Sequence, residues 1–389
     1  MDPIRNPYQP GAGRRPPELT GRAVHLDAFD VVLRRCEAGF GERGMILHGL
    51  RGVGKTVLLG EFASMAEARH WIVAKIEAST EQSATRMIAQ SLHRALREAT
   101  GEFGPSRLSR LLGVFKSFTV KVDPTGTYSF GVDVAAATGR ADSGDLSLDL
   151  TELFAELGST ARDLGVGALL VIDEMQDMSA TELTAVNKAV HEVGQGSAPL
   201  PVVVAGAGLP SLPGVLAEAT SYAERLYSYA PIGRLSDGAD AQALVGPARL
   251  LGAEWGPAAL AAALEFARGY PYFIQTVGKF VWDYATASPF SGEDAEVGIG
   301  KAREEIDAGL YLARWNRVTP AERDFLRAIS AAGIEQVSVA DVATHLGRRR
   351  GDLSVRRDQL IKKGVIYSPE RGYVAFTVPG MAEYIGRQP

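Results

Sequence analysis

The stretch Met45-Ile46-Leu47-His48-Gly49-Leu50-Arg51-Gly52-Val53-Gly54-Lys55-Thr56-Val57 decides how this chain is read. Its first four residues read as a short buried strand, and residues 49–56 satisfy G-x-x-x-x-G-K-[ST] in full, with a helix predicted over 57–68. Strand, glycine turn and helix in that order make a phosphate loop. The glycines let consecutive backbone N–H groups face one anion, and the helix N-terminus adds its dipole. In this pattern Gly49, Leu50, Arg51, Gly52, Val53, Gly54, Lys55, Thr56 and Val57 wrap a nucleotide's phosphates. Lys55 meets the β- and γ-phosphates, and the Thr56 hydroxyl is placed to ligate Mg2+.

About 118 residues after that lysine, Leu169-Leu170-Val171-Ile172-Asp173-Glu174 is an apolar strand that ends in two carboxylates. At a strand tip facing a phosphate loop, Asp173 holds Mg2+ and Glu174 polarises the attacking water. ATP and Mg2+ are the implied ligands.

Around these motifs the chain reads as an α/β sheet followed by helices. Strands are predicted at 71–76, 168–172, 201–205 and 226–232, and helices at 22–38, 83–100, 148–164 and 179–194. Ser179-Ala180-Thr181-Glu182 has the spacing of a capping box. Phe118, Val120 and Val122 alternate with polar residues, Asp123-Pro124-Thr125-Gly126 is a turn, and Tyr128, Phe130, Val132 and Val134 alternate again. The expectation there is a β-hairpin insertion over 115–136. From 238 to about 307 the pattern is helical throughout. The last 71 residues read as three short helices and a hairpin, a winged helix-turn-helix. The expected division is an arm at 1–22, a nucleotide domain at 23–237, a helical lid at 238–315 and a winged helix at 319–389.

Composition limits the alternatives. The chain has 389 residues, 46% of them apolar and 22% charged, the balance of a globular protein. Net charge is −5, so any basic surface is local. One lies at 348–363, where Arg348, Arg349, Arg350, Arg356, Arg357, Lys362 and Lys363 oppose only Asp352 and Asp358. It is a candidate contact for double-stranded DNA, with protein recognition as the alternative. Cys36, the single cysteine, shares a helical face with Phe29 and Val32 and reads as core, which fits a reducing cytoplasm. The uncharged run 194–217 contains four prolines, so it reads as a strand and turns, not a membrane span. The six histidines have no metal-ligand spacing.

With the two Walker motifs in hand, the chain resembles the AAA+ ATPases. The resemblance is closest to the origin-recognition-like and archaeal-type branch, which shades into the STAND signalling ATPases. It implies further site residues. Arg22, closing the segment Pro16-Pro17-Glu18-Leu19-Thr20-Gly21, belongs to the arm over the adenine. Pro271, in Gly269-Tyr270-Pro271, belongs to the lid motif near the nucleotide. Arg225, in Glu224-Arg225-Leu226, matches the arginine finger that completes a neighbouring subunit's site, which implies a homo-oligomer or a partner protein acting in trans. Two departures stand out: the fourth strand ends Ala205-Gly206-Ala207-Gly208 with no polar side chain, and the lid helix carries Tyr272 and Phe273 where many initiators have an arginine. Both favour a slow or switch-like ATPase. A nucleotide-gated signalling switch whose winged helix binds protein, and a loader of a transposase or replication enzyme, are the alternatives.

Overall fold

The computed structural model describes residues 1–122, 128–129, 135–195, 198–236, 238–333 and 335–388. Five parallel strands build the central sheet: β1 (Gly44–His48), β2 (Ile72–Glu77), β3 (Ala168–Asp173), β4 (Val202–Gly208) and β5 (Tyr227–Pro231), in the order β2-β3-β4-β1-β5. The order reverses at β1, and the crevice there, beyond the carboxyl ends of β1, β3 and β4, is where open α/β sheets bind ligands. Strands covered on both faces need apolar residues on both, and every residue of β3 and β4 is buried.

Helices α1 (Ala23–Glu37) and α2 (Lys55–Glu67) cover one face. There Phe29, Leu33, Leu58 and Phe62 meet Met45, Leu47, Leu169, Val171 and Val203, and the rings of Phe29 and Phe62 stack at 4.0 Å. Helices α3 (Ala84–Phe103), α4 (Pro105–Val122), α5 (Leu146–Leu164) and α6 (Ala180–Gly194) cover the other face, against Ile46, Leu170, Ile172 and Val204. Alternate residues of each strand serve opposite cores, as the two-residue pleat requires. The capping box at Ser179 and Glu182 forms as its spacing predicts. Short helices α7 (Leu212–Ala219) and α8 (Ala223–Leu226) lead into β5.

The expected hairpin over 115–136 fails at its first arm. Phe118, Val120 and Val122 lie in α4. Leu108, Leu111, Leu112, Phe115 and Phe118 are buried at helical spacing, whereas Val120 is 59% exposed. Three alternating residues at the end of a longer 3.6-residue pattern carried the misreading. The turn at 123–126 and residues 130–134 of the second arm lie outside the described residues, and Tyr128 is in no strand.

The lid consists of α9 (Ala239–Leu250), α10 (Pro257–Ala267), α11 (Pro271–Tyr284) and α12 (Gly292–Ile306). A π-helical turn, Asp307–Tyr311, and α13 (Leu312–Asn316) connect it to the C-terminal module. That module is a winged helix: α14 (Pro320–Ala331), β6 (Val337–Ser338), α15 (Val339–His345), α16 (Ser354–Lys362), β7 (Ile366–Tyr367) and β8 (Tyr373–Phe376), with an antiparallel sheet ordered β6-β8-β7. A closing helix, α17 (Met381–Gly386), packs on α14 and was not foreseen. Lid and winged helix share one hydrophobic core, in which Leu244, Ile274, Val281 and Ile306 are continuous with Phe325, Ile329, Leu360 and Ile385. The N-terminal arm is laid across the lid. Tyr8 is buried and bonded to the Leu244 carbonyl, Trp255 Nε1 donates to its hydroxyl (2.9 Å), and Trp282 Nε1 donates to the Asp2 carbonyl (2.8 Å).

Candidate nucleotide site

At the switch point lies a cavity of about 510 Å³. Its walls are the arm residues 9–14, 16, 18–20 and 22, residues 51–57 of the loop and α2, the β3 tip with Asp173 and Glu174, and the lid residues 270–275. The N-cap of α2 is Gly54 at φ +92°, a left-handed conformation that a side chain would resist, and it aims the helix N-terminus into the cavity. Val57 and Pro271, the latter at the first position of α11, both line it. Arg22 lines it too, and is held by the carbonyls of Val53 (3.0 Å) and Gly233 (2.6 Å).

Lys55 is only 7% exposed, and its ammonium donates to the carbonyls of Gly49 and Leu50 at 2.9 Å each. Burial lowers its pKa to about 8, with the repulsion of Arg51 adding and the attraction of Glu174 and Asp173 opposing. Gly49 and Leu50 therefore supply backbone, while their side of the loop faces away from the cavity. The Leu50 side chain meets Leu209 and the winged-helix residues Tyr367 and Ala375. The Arg51 N–H donates to the Thr377 carbonyl (3.0 Å). The phosphate loop is thus bonded directly to the C-terminal module.

Thr56 Oγ1 donates to Asp173 Oδ2 (2.5 Å), which brings together the two groups expected at Mg2+. Burial raises the Asp173 pKa, and the Thr56 and Glu174 N–H hydrogen bonds oppose it. This hard oxygen pair beside a phosphate loop fits a Mg2+ that keeps most of its water. The arginine side supplies a second indication: Arg51 Nε and Glu18 Oε2 are buried without a partner, polar atoms whose hydrogen bonding a polar ligand would complete.

Glu174 follows Asp173 in a left-handed conformation, φ +47° and ψ +41°, rare for a residue with a side chain. Its carboxylate accepts from Arg51 Nη1 (2.7 Å) and from Gln176 Nε2 (2.6 Å). The other end of the Gln176 amide accepts the Leu209 N–H (3.1 Å). Gln176 stands where the fourth strand offers no polar side chain. A Cβ on Gly208 would lie 2.3 Å from Gln176 Oε1, so the bare end of β4 makes room for this amide. Sequence reasoning passed over Gln176, although a glutamine two residues beyond the Walker glutamate was there to be noticed.

Arg314 of α13 also lines the cavity, an arginine absent from the reading of the lid. Arg268 is spent elsewhere, on Glu383 of α17 at 2.9 Å. Arg225 is exposed on α8 and is not among the cavity-lining residues, so it does not join the site of its own chain. At the winged helix, Lys363 is tied to Glu322, which is 1% exposed, at 2.6 Å, and Arg357 donates to Ser368 (3.1 Å). Arg348, Arg349, Arg350 and Lys362 remain exposed.

Among the described residues, no helix is long and apolar enough to cross a membrane. Residues 18–204 match the family model "AAA ATPase domain", and residues 308–385 match a "Domain of unknown function". No curated protein sequence matches the chain. Among solved structures it is similar to the Walker-type ATPase PABY2304 of Pyrococcus abyssi, with 17% identity, TM-score 0.60, and 96% of this chain and 97% of that one covered. It is also similar to the ORC2 protein of Aeropyrum pernix, described as ADPNP–ADP complexes, with 14% identity, TM-score 0.57, and 97% and 96% covered. With its two Walker motifs converging in one cavity, residues 18–204 of the chain form an AAA ATPase domain, in a fold shared with these two structures.

Proposed function

We propose that the chain is an ATP·Mg2+-dependent switch that hydrolyses ATP slowly and uses the nucleotide to set the position of its winged helix. The observation that carries this is the bond between the phosphate loop and the C-terminal module, Arg51 N–H to the Thr377 carbonyl at 3.0 Å, with Leu50 seated on Tyr367 and Ala375. A ligand that rearranges the loop's backbone changes the surface on which the module rests.

The chain's own residues have definable tasks. Lys55 and the loop N–H groups bind the phosphates, Thr56 and Asp173 hold Mg2+, and Glu174 orients and polarises the attacking water. Mg2+ held by Thr56 and Asp173 would offset the charge that develops on the phosphates. Gln176 fixes the rotamer of Glu174 and ties it to the end of β4. Arg51 occupies one oxygen of the Glu174 carboxylate and competes with the attacking water for it, which supports a low basal rate. Arg225 reaches the nucleotide of a second copy or a partner, as its exposure on α8 allows. The proposed partner of the winged helix is double-stranded DNA, contacted through phosphates by Arg348, Arg349, Arg350 and Lys362. The protein-binding reading draws its support from Lys363, whose charge is used internally, and from Val355, an apolar residue 65% exposed on α16.

The test is phosphate release by the full chain at increasing protein concentration, with and without duplex DNA. Turnover that rises with concentration and is partly restored by mixing Lys55→Ala with Arg225→Ala protein supports the shared site. Wild-type protein that neither binds nor hydrolyses ATP would sink the proposal. If ATP leaves duplex affinity unchanged, the DNA-coupled form gives way to the protein-binding one.

A further inference from the structure

Arg314 is a cation left looking for an anion. It lies in α13, half-buried in the wall of the nucleotide cavity. Its guanidinium donates to the Leu310 carbonyl, one turn back in its own helix, at 2.6 Å. Among the described residues no carboxylate comes within ion-pair distance of it, while the other arginines buried or half-buried in the cavity wall have fixed partners: Arg22 has two carbonyls and Arg51 has Glu174. The charges around Arg314 make this costly. Burial and the nearby guanidinium groups of Arg51 and Arg317 all work against its proton, and Glu174 offsets them only in part. A half-buried cation kept among like charges is a site whose favourable partner is an anion.

The position of that anion follows from the neighbours. Arg314 lines the same cavity as Arg51 of the phosphate loop and Glu174 of the β3 tip, which are bonded to each other at 2.7 Å, and it feels the charges of both. Arg22 and Pro271 belong to the opposite, arm-and-lid end. Arg51 adds an Nε that is buried without a partner.

We propose that Arg314 binds the terminal phosphate of ATP and is the residue by which this protein distinguishes a nucleoside triphosphate from a diphosphate. This rests on the ATPase reading above and deepens it. The arginine comes from the connector between lid and winged helix, not from the lid helix that carries Tyr272 and Phe273. That connector is fixed to the module: Tyr311, in the π-helical turn, donates to the Pro379 carbonyl (2.7 Å), and Pro379 itself lines the cavity. π-helical turns recur at functional sites because they re-aim one residue within a helix.

The test uses the full chain with a non-hydrolysable ATP analogue and with ADP, each titrated at equilibrium in Mg2+. Arg314→Ala is expected to lose about 10- to 100-fold in affinity for the analogue, the worth of one hydrogen-bonded charge contact, and less than about 2-fold for ADP. Arg314→Lys should recover part of the loss, and melting temperatures of both variants in the absence of nucleotide should match wild type. Equal losses for both nucleotides, or none for either, would overturn the inference. If Arg314→Ala is unstable, Arg314→Lys and Arg314→Gln must still show a loss confined to the analogue, or the inference falls. Wild-type protein that binds neither nucleotide would instead overturn the ATPase reading itself.

Discussion

Arg51 Nη1 lies 2.7 Å from Glu174 Oε1, so an arginine of the phosphate loop is paired with the carboxylate that follows the Walker aspartate. Both side chains are mostly buried, 29% and 17% exposed, so solvent screens the pair only partly. The same Arg51 offers its backbone N–H to Thr377 of the winged helix. One residue of the loop therefore touches both the Glu174 carboxylate and the C-terminal module.

Arg51→Ala is expected to raise basal turnover by about 2- to 10-fold, because the guanidinium no longer occupies the carboxylate oxygen that would take the water, and a partly screened pair holds it by about 1 kcal/mol. Single-turnover phosphate release measures this. A fall in rate at unchanged nucleotide affinity would mean that the pair assists hydrolysis and does not restrain it.

Glu174→Gln should keep ATP binding and lose turnover. Gln176→Ala should lower kcat by roughly 10-fold with little change in KM, since it removes orientation and not binding. Gly208→Ala should reproduce that loss, because the new Cβ would collide with Gln176 Oε1. Unchanged kcat in both Gln176→Ala and Gly208→Ala would remove Gln176 from the mechanism.

Lys55 makes folding pH-dependent. Its pKa in the folded protein, about 8, lies below the ordinary 10.5, so the unfolded chain binds the proton more tightly. The penalty is present in full below about pH 8 and disappears as pH rises from 8 through 10.5. It is worth roughly 3 kcal/mol. Lys55→Met should therefore melt higher than wild type at pH 7, with the difference closing toward pH 10, while ATP binding is abolished. In wild type, phosphate binding favours the charged ammonium, so calorimetry above pH 8 should record proton uptake with ATP. A stability difference that is independent of pH would refute the buried-ammonium account.

The winged helix separates phosphate contacts from internal ones. Replacing Arg348, Arg349 and Arg350 by Ala should flatten the dependence of log K on log salt by up to about 3, at about 0.9 per phosphate contact. Lys363→Ala should leave that slope alone and destabilise the protein by about 1–3 kcal/mol, because it strips the buried Glu322 of its partner. Leu360→Ala, fully buried, should cost about 2–5 kcal/mol. Anisotropy titrations and denaturant melts of the full chain separate the two classes. A flat salt response in wild type would favour protein recognition.

What was legible in the sequence was what is local. The phosphate loop is a contiguous pattern whose strand and helix adjoin it, and the apolar run ending at Asp173 and Glu174 carries its own signal. Capping boxes at Ser179 and Thr319 were readable because four residues contain them. Gln176 and Arg314 were not, because their meaning lies in distant partners. The Gln176 amide answers Leu209 at the end of another strand, and Arg314 joins the cavity wall beside Glu174 only after lid and connector have folded over the sheet. Helix α4 was misread at its end because three alternating residues mimic a strand, and only the burial of Leu108 through Phe118 reveals the longer period.

The single core that runs from Leu244 and Val281 through Ile306 to Phe325 and Leu360 has a mechanical consequence. Two bodies that share an apolar interior do not flex independently, so lid and winged helix should unfold together in calorimetry and exchange their amide protons as one cooperative block. The C-terminal module is then no passenger on a tether. It shares the lid's interior, so any closure of the lid would carry the exposed arginines with it.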